Sequence, residues 1–121
     1  MGTFPPDEMG RVLETADALA MPALWYENEP LVVKAAQYTG VPVLASDIGT
    51  LATSVRHGSG GLLLPPGDIA AWADAIEALT PKTFARLIPD RSIKSMDENA
   101  RELMVIYREI LLNKQCPAQN T

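Results

Sequence analysis

Three short apolar runs, each followed by a polar turn and an amphipathic segment, constrain the fold of this chain more than any other feature of its sequence. Runs of this length are typical of buried strands, and apolar residues three and four positions apart are typical of helices. Strands that alternate with helices usually form a parallel sheet. The predicted strands cover residues 18–24, 41–46 and 62–64, and the helices after them cover 30–38, 50–56 and 69–79.

The length of 121 residues and the apolar content of 47% suit a single domain with its own core. Three strands are few, because a complete doubly wound sheet has about six. We therefore predict an α/β fold in which residues 1–121 form half of a doubly wound Rossmann-like domain, with a short three-stranded parallel sheet and flanking helices. A last helix begins at Ser95 or Asp97 and runs to about Leu112, and residues 113–121 form a frayed tail.

Composition excludes several functional classes. The net charge is −5 with both signs mixed along the chain, which disfavours nucleic acid as a partner. The single cysteine, Cys116, rules out a disulfide framework and a thiolate metal site, and it favours a reducing compartment. No run reaches the roughly 18 apolar residues of a spanning helix, so we predict a cytoplasmic protein. We also predict that it holds no metal and no cofactor.

The turn at residues 25–30, after the first predicted strand, is the candidate site. Turns at the carboxyl ends of parallel strands bind ligands, and the free N–H groups of a helix start can hold a phosphate. Pro30 suits the first helical position because its φ is fixed and it lacks an N–H. Glu27, Asn28 and Glu29 could alternatively serve only to cap this helix.

Other polar and aromatic residues have a structural interpretation. His57, at the end of the second helix, is predicted to cap it. Ser46, Asp47 and Gly49 either form an N-cap with a tight turn or line the cleft, and the sequence leaves both alternatives open. Three large aromatic residues are predicted to pack rather than to bind a sugar ring: Trp25, Trp72 and Tyr107.

A chain of short motifs resembles a known family. They are Ala16-Asp17-Ala18 leading to Pro22, Trp25-Tyr26-Glu27-Asn28, Pro30-Leu31-Val32-Val33, Gly40-Val41-Pro42-Val43, Ser46-Asp47-Ile48-Gly49, Gly58, Gly60-Gly61-Leu62-Leu63 and Pro65-Pro66-Gly67-Asp68. Over residues 10–80 this pattern resembles the family 4 retaining glycosyltransferases, and Ile106-Tyr107-Arg108-Glu109 is similar to the end of that family's last helix.

The resemblance implies a GT-B enzyme of two Rossmann-like domains, of which this chain would be the carboxyl-terminal part of the nucleotide-sugar-binding domain. It implies transfer of a sugar, with retention, from a nucleotide-diphosphate sugar donor to a glycan or lipid-linked acceptor. It implies a catalytic role for Glu27. The donor-binding positions that it implies are Asn28, Pro30, Leu31, Val32 and Ala35.

Two positions depart from the family pattern. The family's second glutamate, which reaches the ribose hydroxyls, falls at Ala35, whose side chain cannot form a hydrogen bond. Glu29 stands where the family has an uncharged residue beside the phosphates. A carboxylate about 5 Å from a phosphate would cost roughly 3 kcal/mol at an effective dielectric near 20, unless it swings into solvent.

Two functions remain open. The chain is either a donor-domain fragment that is inactive alone, or a degenerate module for binding or assembly that Ala35 and Glu29 would favour. A nicotinamide dehydrogenase is disfavoured because no G-x-G-x-x-G follows the first strand. The sequence does not specify the sugar, the base or the acceptor. We also expect a homodimer or a larger assembly, with the 18–24 strand edge or the 98–112 helix at the contact.

Overall fold

Three parallel strands lie in one sheet in the same order as along the chain, in a computed structural model that describes residues 3–89 and 94–114. The strands are β1 (Leu19–Met21), β2 (Val43–Ser46) and β3 (Gly61–Leu64). After a 3-10 turn at Pro6–Glu8, the helices are α1 (Met9–Glu14), α2 (Leu31–Thr39), α3 (Gly49–Ser54), α4 (Ile69–Glu77), α5 (Pro81–Arg86) and α6 (Met96–Lys114). The predicted α/β class, the parallel three-stranded sheet and the flanking helices are confirmed. The frayed tail predicted for residues 113–121 is wrong at residues 113 and 114, which belong to α6, and residues 115–121, with Cys116, lie outside the described residues.

The predicted first strand is too long. β1 ends at Met21, because Pro22 has no N–H to donate to a neighbouring strand. Its three residues pair with β2 in the register Leu19 to Val43. β3 approaches the other side of β2 so closely that a Cβ on Gly61 would lie 1.8 Å from the Val43 carbonyl oxygen. Only glycine fits at that position.

Helix α2 follows β1 after a turn of nine residues, 22–30. Its first residue is Leu31, and Pro30 is the N-cap with an extended ψ of 118°. The prediction that Pro30 takes the first helical position is therefore wrong by one residue. The predicted end is confirmed, because Gly40 adopts the left-handed conformation (φ 83°) that closes many helices.

The core lies where α1, α2 and α3 meet the sheet. Gln37 is the buried polar residue of α2, and its side-chain amide donates to the Ser54 carbonyl at 2.6 Å, which ties α2 to the end of α3. The buried apolar side chains of this cluster are Leu13, Ala23, Val33, Ala36, Val41, Val43, Ala45, Leu51 and Val55. Because each fully buried Val or Leu contributes about 1.5–3 kcal/mol, this cluster holds the strand-end turns in place.

Helix α6 begins with a reciprocal cap, in which Glu98 N–H donates to the Ser95 hydroxyl and Ser95 N–H donates to the Glu98 carboxylate. This confirms Ser95 as one of the two predicted starting points. Residues 96–113 are all exposed, so α6 does not pack on the rest of the described chain. Within the described ranges, no helix has the length and apolar character needed to cross a membrane.

Candidate functional site

The turn after β1 carries an unusual run of exposed apolar side chains. After the buried Ala23, the side chains of Leu24, Trp25 and Tyr26 are 64%, 62% and 80% exposed. The prediction that Trp25 is a packing residue is therefore wrong, and so is that for Tyr107 on α6, which is 56% exposed.

Trp72, in contrast, is half-buried on α4, and its indole N–H donates to the Pro65 carbonyl at 3.1 Å. The predicted packing role fits Trp72. The two tryptophans differ in exposure because this depends on whether a neighbouring element covers the ring. The local sequence does not encode such a contact.

Glu27 is held at both its side chain and its backbone. The indole N–H of Trp25 donates to the Glu27 carboxylate, and the hydroxyl of Thr50 donates to the Glu27 carbonyl oxygen at 2.7 Å. Glu27 itself is half-buried. The spacing Trp-x-Glu could have signalled the first contact, whereas the second joins residues 23 positions apart and depends on the fold.

The start of α3 lies against the same turn because Gly49 has no side chain. Gly49 adopts φ +54°, and a Cβ there would lie 2.8 Å from Cδ1 of Tyr26. The N-cap of α3 is Ile48, which makes no side-chain cap, so the alternative in which Ser46 or Asp47 caps α3 is wrong. Lining of the cleft by these residues stays a prediction.

The turn after β3 completes this edge of the sheet. Cδ2 of Leu24 lies 3.5 Å from the place a Cβ on Gly67 would take, and Asp68 caps α4 by accepting from Ala71 N–H at 3.0 Å. The turns that follow β1, β2 and β3 thus meet around residues 24–27. This is the arrangement expected where ligands bind in open parallel sheets.

The start of α2 is open to a ligand. Pro30 offers no side-chain cap, and Val33 N–H donates to the Pro30 carbonyl at 3.0 Å. Since Pro30 is the N-cap, the alternative in which Glu27, Asn28 or Glu29 caps α2 is wrong. The N–H groups at this end carry the positive end of the helix dipole.

Glu29 forms an ion pair with Lys34 in the first turn of α2, whose Nζ lies 3.1 Å from its carboxylate. Both side chains are more than a third exposed, so the pair itself adds at most about 1 kcal/mol to stability. The pair places a cation beside a carboxylate that would otherwise repel a phosphate. Lys34 was missed because a spacing of five is not the usual helical pairing distance.

The predicted donor-binding residues divide into two groups. Asn28 and Leu31 are exposed and Pro30 is half-buried, so these three are accessible near the helix start. Val32 and Ala35 are half-buried and pack against the core cluster. Four of the predicted residues therefore lie together in the turn after the carboxyl end of β1: Glu27, Asn28, Pro30 and Leu31. Ala35 lies more than one turn along α2.

His57 does not cap a helix, because α3 ends at Ser54 and His57 lies beyond it. Its Nδ1 accepts a hydrogen bond from Leu63 N–H at 3.0 Å, which binds the loop before β3 to β3 itself. The predicted capping role is wrong. Among residues 3–89 and 94–114, no three His, Cys, Asp or Glu side chains are grouped as a metal site would require.

Comparison with known proteins places this geometry in context. A family model described as Glycosyl transferases group 1 matches residues 1–81. The chain is 36% identical over 112 residues to a D-inositol 3-phosphate glycosyltransferase of Corynebacterium urealyticum, a match that covers 88% of this chain and 26% of that protein. It is 45% identical over 75 residues to a protein of the same name from Nocardia farcinica, with 62% of this chain and 16% of that protein covered.

A solved structure has a similar fold. Sucrose-phosphate synthase from Thermosynechococcus elongatus superposes with a TM-score of 0.71 and 25% identity, over 93% of this chain and 30% of that chain. The chain therefore matches about a quarter of the length of the first of these curated relatives and less than a third of the solved structure.

Proposed function

Because the chain belongs to the group 1 glycosyl transferases, we propose that it forms part of the nucleotide-sugar-binding half of such an enzyme. The donor is a nucleotide-diphosphate sugar, and the acceptor is a glycan or a lipid-linked sugar. Glu27 faces the donor sugar, and the α2 start binds the diphosphate beside Asn28, Pro30 and Leu31. The observation that carries this proposal is the meeting of the three strand-end turns beside the open start of α2.

The α2 start would act on the leaving diphosphate electrostatically, since charge builds up there as the glycosidic bond breaks. A helix terminus contributes up to about 2 kcal/mol to such an anion, whereas enzymes lower barriers by about 8 kcal/mol or more. This chain alone therefore supplies a minor part of the rate enhancement. We expect the isolated chain to show no turnover in a transfer assay with radiolabelled nucleotide sugars.

A Leu31→Pro variant tests diphosphate binding by the α2 start. Proline is tolerated at the first helical residue, where it removes one N–H, and the exposed Leu31 side chain has little packing to lose. We expect Leu31→Pro to weaken binding of UDP and GDP about fivefold, the value of one hydrogen bond, in amide-shift titrations. Leu31→Ala is the matched control and should bind as the wild type does; equal affinities for all three proteins would refute the proposal.

A second candidate is a degenerate module that no longer binds a donor. It is favoured by Ala35, which packs against the core and offers no hydrogen bond to a ribose, and by the Glu29 carboxylate near the helix start. The variant Ala35→Glu with Glu29→Phe restores the family pattern. Nucleotide-sugar binding that appears only in this variant, measured by calorimetry, would support the degenerate module, and equal binding by both proteins would exclude it.

We further propose that two copies of this chain associate and that the protein acts in the cytoplasm without nucleic acid. Association is supported by the edge of β1, beside which no described strand lies, and by the exposed apolar residues of α6. Cell fractionation followed by detection of the chain in the membrane or secreted fraction would contradict the cytoplasmic assignment.

A further inference from the structure

The two hydrogen bonds on Glu27 involve two residues, Trp25 and Thr50, for which the family resemblance implied no role. We propose that Trp25 is a positioning residue that orients the Glu27 carboxylate toward the donor sugar, and that Thr50 fixes the backbone from which this carboxylate projects. This inference rests on the proposed function, because it concerns the same donor site.

The contact of Trp25 with Glu27 restricts a side chain that would otherwise be mobile. A glutamate on a turn has three side-chain torsions, and ordering them during binding would reduce affinity for the sugar. The indole donates to one carboxylate oxygen and leaves the other free to accept from a sugar hydroxyl. Because the acceptor is charged, this hydrogen bond is stronger than one between neutral groups.

Packing does not account for an aromatic residue at position 25. It is 62% exposed, and its N–H contact with Glu27 is the polar interaction that the structure gives it. Thr50 acts from the neighbouring turn, so the orientation of Glu27 also depends on the junction between β2 and α3. Both partners act on Glu27, and neither needs to touch the sugar.

Trp25→Phe tests the role of the indole, because it keeps an aromatic ring and removes the N–H. We would titrate UDP-glucose and GDP-mannose, each beside UDP and GDP, and measure the dissociation constants by calorimetry. Trp25→Phe should lower the affinity for the nucleotide sugar about fivefold, the value of one hydrogen bond, and should change the affinity for the nucleotide diphosphate less than twofold. Trp72→Phe, which removes the α4 indole N–H that donates to the Pro65 carbonyl, is the matched control and should change neither affinity.

A double-mutant cycle separates positioning from a general structural role. If Trp25 acts through Glu27, Trp25→Phe should have no further effect on nucleotide-sugar affinity in a Glu27→Ala background. Thr50→Val should weaken nucleotide-sugar binding in the same selective way, and Thr50→Ser, which keeps the hydroxyl, should restore it.

The outcomes distinguish the inference from the function on which it rests. Binding of a nucleotide sugar that Trp25→Phe leaves unchanged, or that it weakens equally with the free diphosphate, would overturn the positioning role alone. A wild-type chain that binds none of the four probes would overturn the proposed donor site, and the role of Trp25 with it.

Discussion

Glu29 has a backbone conformation that side-chain-bearing residues rarely adopt, with φ at 133° beside the candidate site. Residues in such regions store about 1–3 kcal/mol and are often found at functional sites. In this conformation the carboxylate forms its ion pair with Lys34. The positive φ of Glu29 and the ion pair of its carboxylate therefore occur together in the same residue.

Glu29→Gly should relieve this strain. Glycine adopts positive φ freely. The free energy gained is reduced by about 0.4–1 kcal/mol because glycine makes the unfolded chain more flexible, and by up to about 1 kcal/mol because the ion pair is lost. Glu29→Ala loses the ion pair but keeps the strained backbone. We therefore expect the glycine variant to be more stable than the alanine variant by about 1 kcal/mol in urea denaturation, and an alanine variant of equal stability would contradict the strain at this residue.

Ser46 is a second residue at odds with its surroundings. It is 0% exposed at the end of β2, and its hydroxyl has no hydrogen-bond partner among the described residues. Burial of an unbonded hydroxyl costs about 1–3 kcal/mol. Ser46→Ala should raise the free energy of unfolding by about 1 kcal/mol, whereas Ser59→Ala, at an exposed position, should change it by less than about 0.5 kcal/mol. A destabilised Ser46→Ala protein would indicate that the hydroxyl has a partner in solution.

At the scale of the element, the start of α6 is predicted to be sensitive to pH. The Ser95 amide and hydroxyl bond the Glu98 carboxylate and hold the pKa of Glu98 below its usual range, with a smaller contribution from Lys94. Because the folded-state pKa is lowered, this stabilisation is complete above the ordinary glutamate pKa of about 4.3. It is lost as the pH falls through the lower folded-state value.

Amide hydrogen exchange and the chemical shift of Ser95 N–H would follow this transition. Below the ordinary glutamate pKa, the first turn of wild-type α6 should lose protection. Glu98→Gln keeps an acceptor at every pH and should show no such loss, and Glu102→Gln, which removes the partner of Lys94, should keep the wild-type transition. A pH-dependent loss that persists in Glu98→Gln would assign it to another group.

At the scale of the whole molecule, the uncovered side of α6 is the largest unexplained feature. Its large apolar residues are 43–67% exposed from Leu103 to Leu112, although contiguous apolar surface is usually buried against a partner. The edge of β1 also has no strand beside it among the described residues. Both surfaces favour the association of two copies that we propose.

Light scattering at about tens of micromolar protein, where a specific dimer should form, checks this association. Ile106→Ser with Ile110→Ser should lower the measured mass toward that of a monomer, because two central apolar side chains of α6 are removed. Ile69→Ser on α4 is the control, since Ile69 is 84% exposed on a different surface. A wild-type monomer mass would refute the proposed dimer.

The sequence by itself determined the elements whose signals are satisfied within a few residues. Gly40 closes α2, Asp68 caps α4 and Ser95 opens α6, because each contact joins groups no more than a turn apart. The alternation of strands and helices was enough for the parallel sheet, since few other folds bury such a pattern. The location of the candidate site followed from the same rule about the carboxyl ends of parallel strands.

Only the tertiary structure decided which side chains meet at that site. The contact of Thr50 with Glu27, the position of Tyr26 against Gly49, and that of Leu24 against Gly67 join residues far apart in the chain. The sequence also did not reveal that Trp25 and α6 are exposed. Helical or aromatic character shows that a residue can pack, but it does not show whether another surface packs against it. Burial is a property of what folds against a residue, and for this chain that depends on the arrangement of distant elements in space.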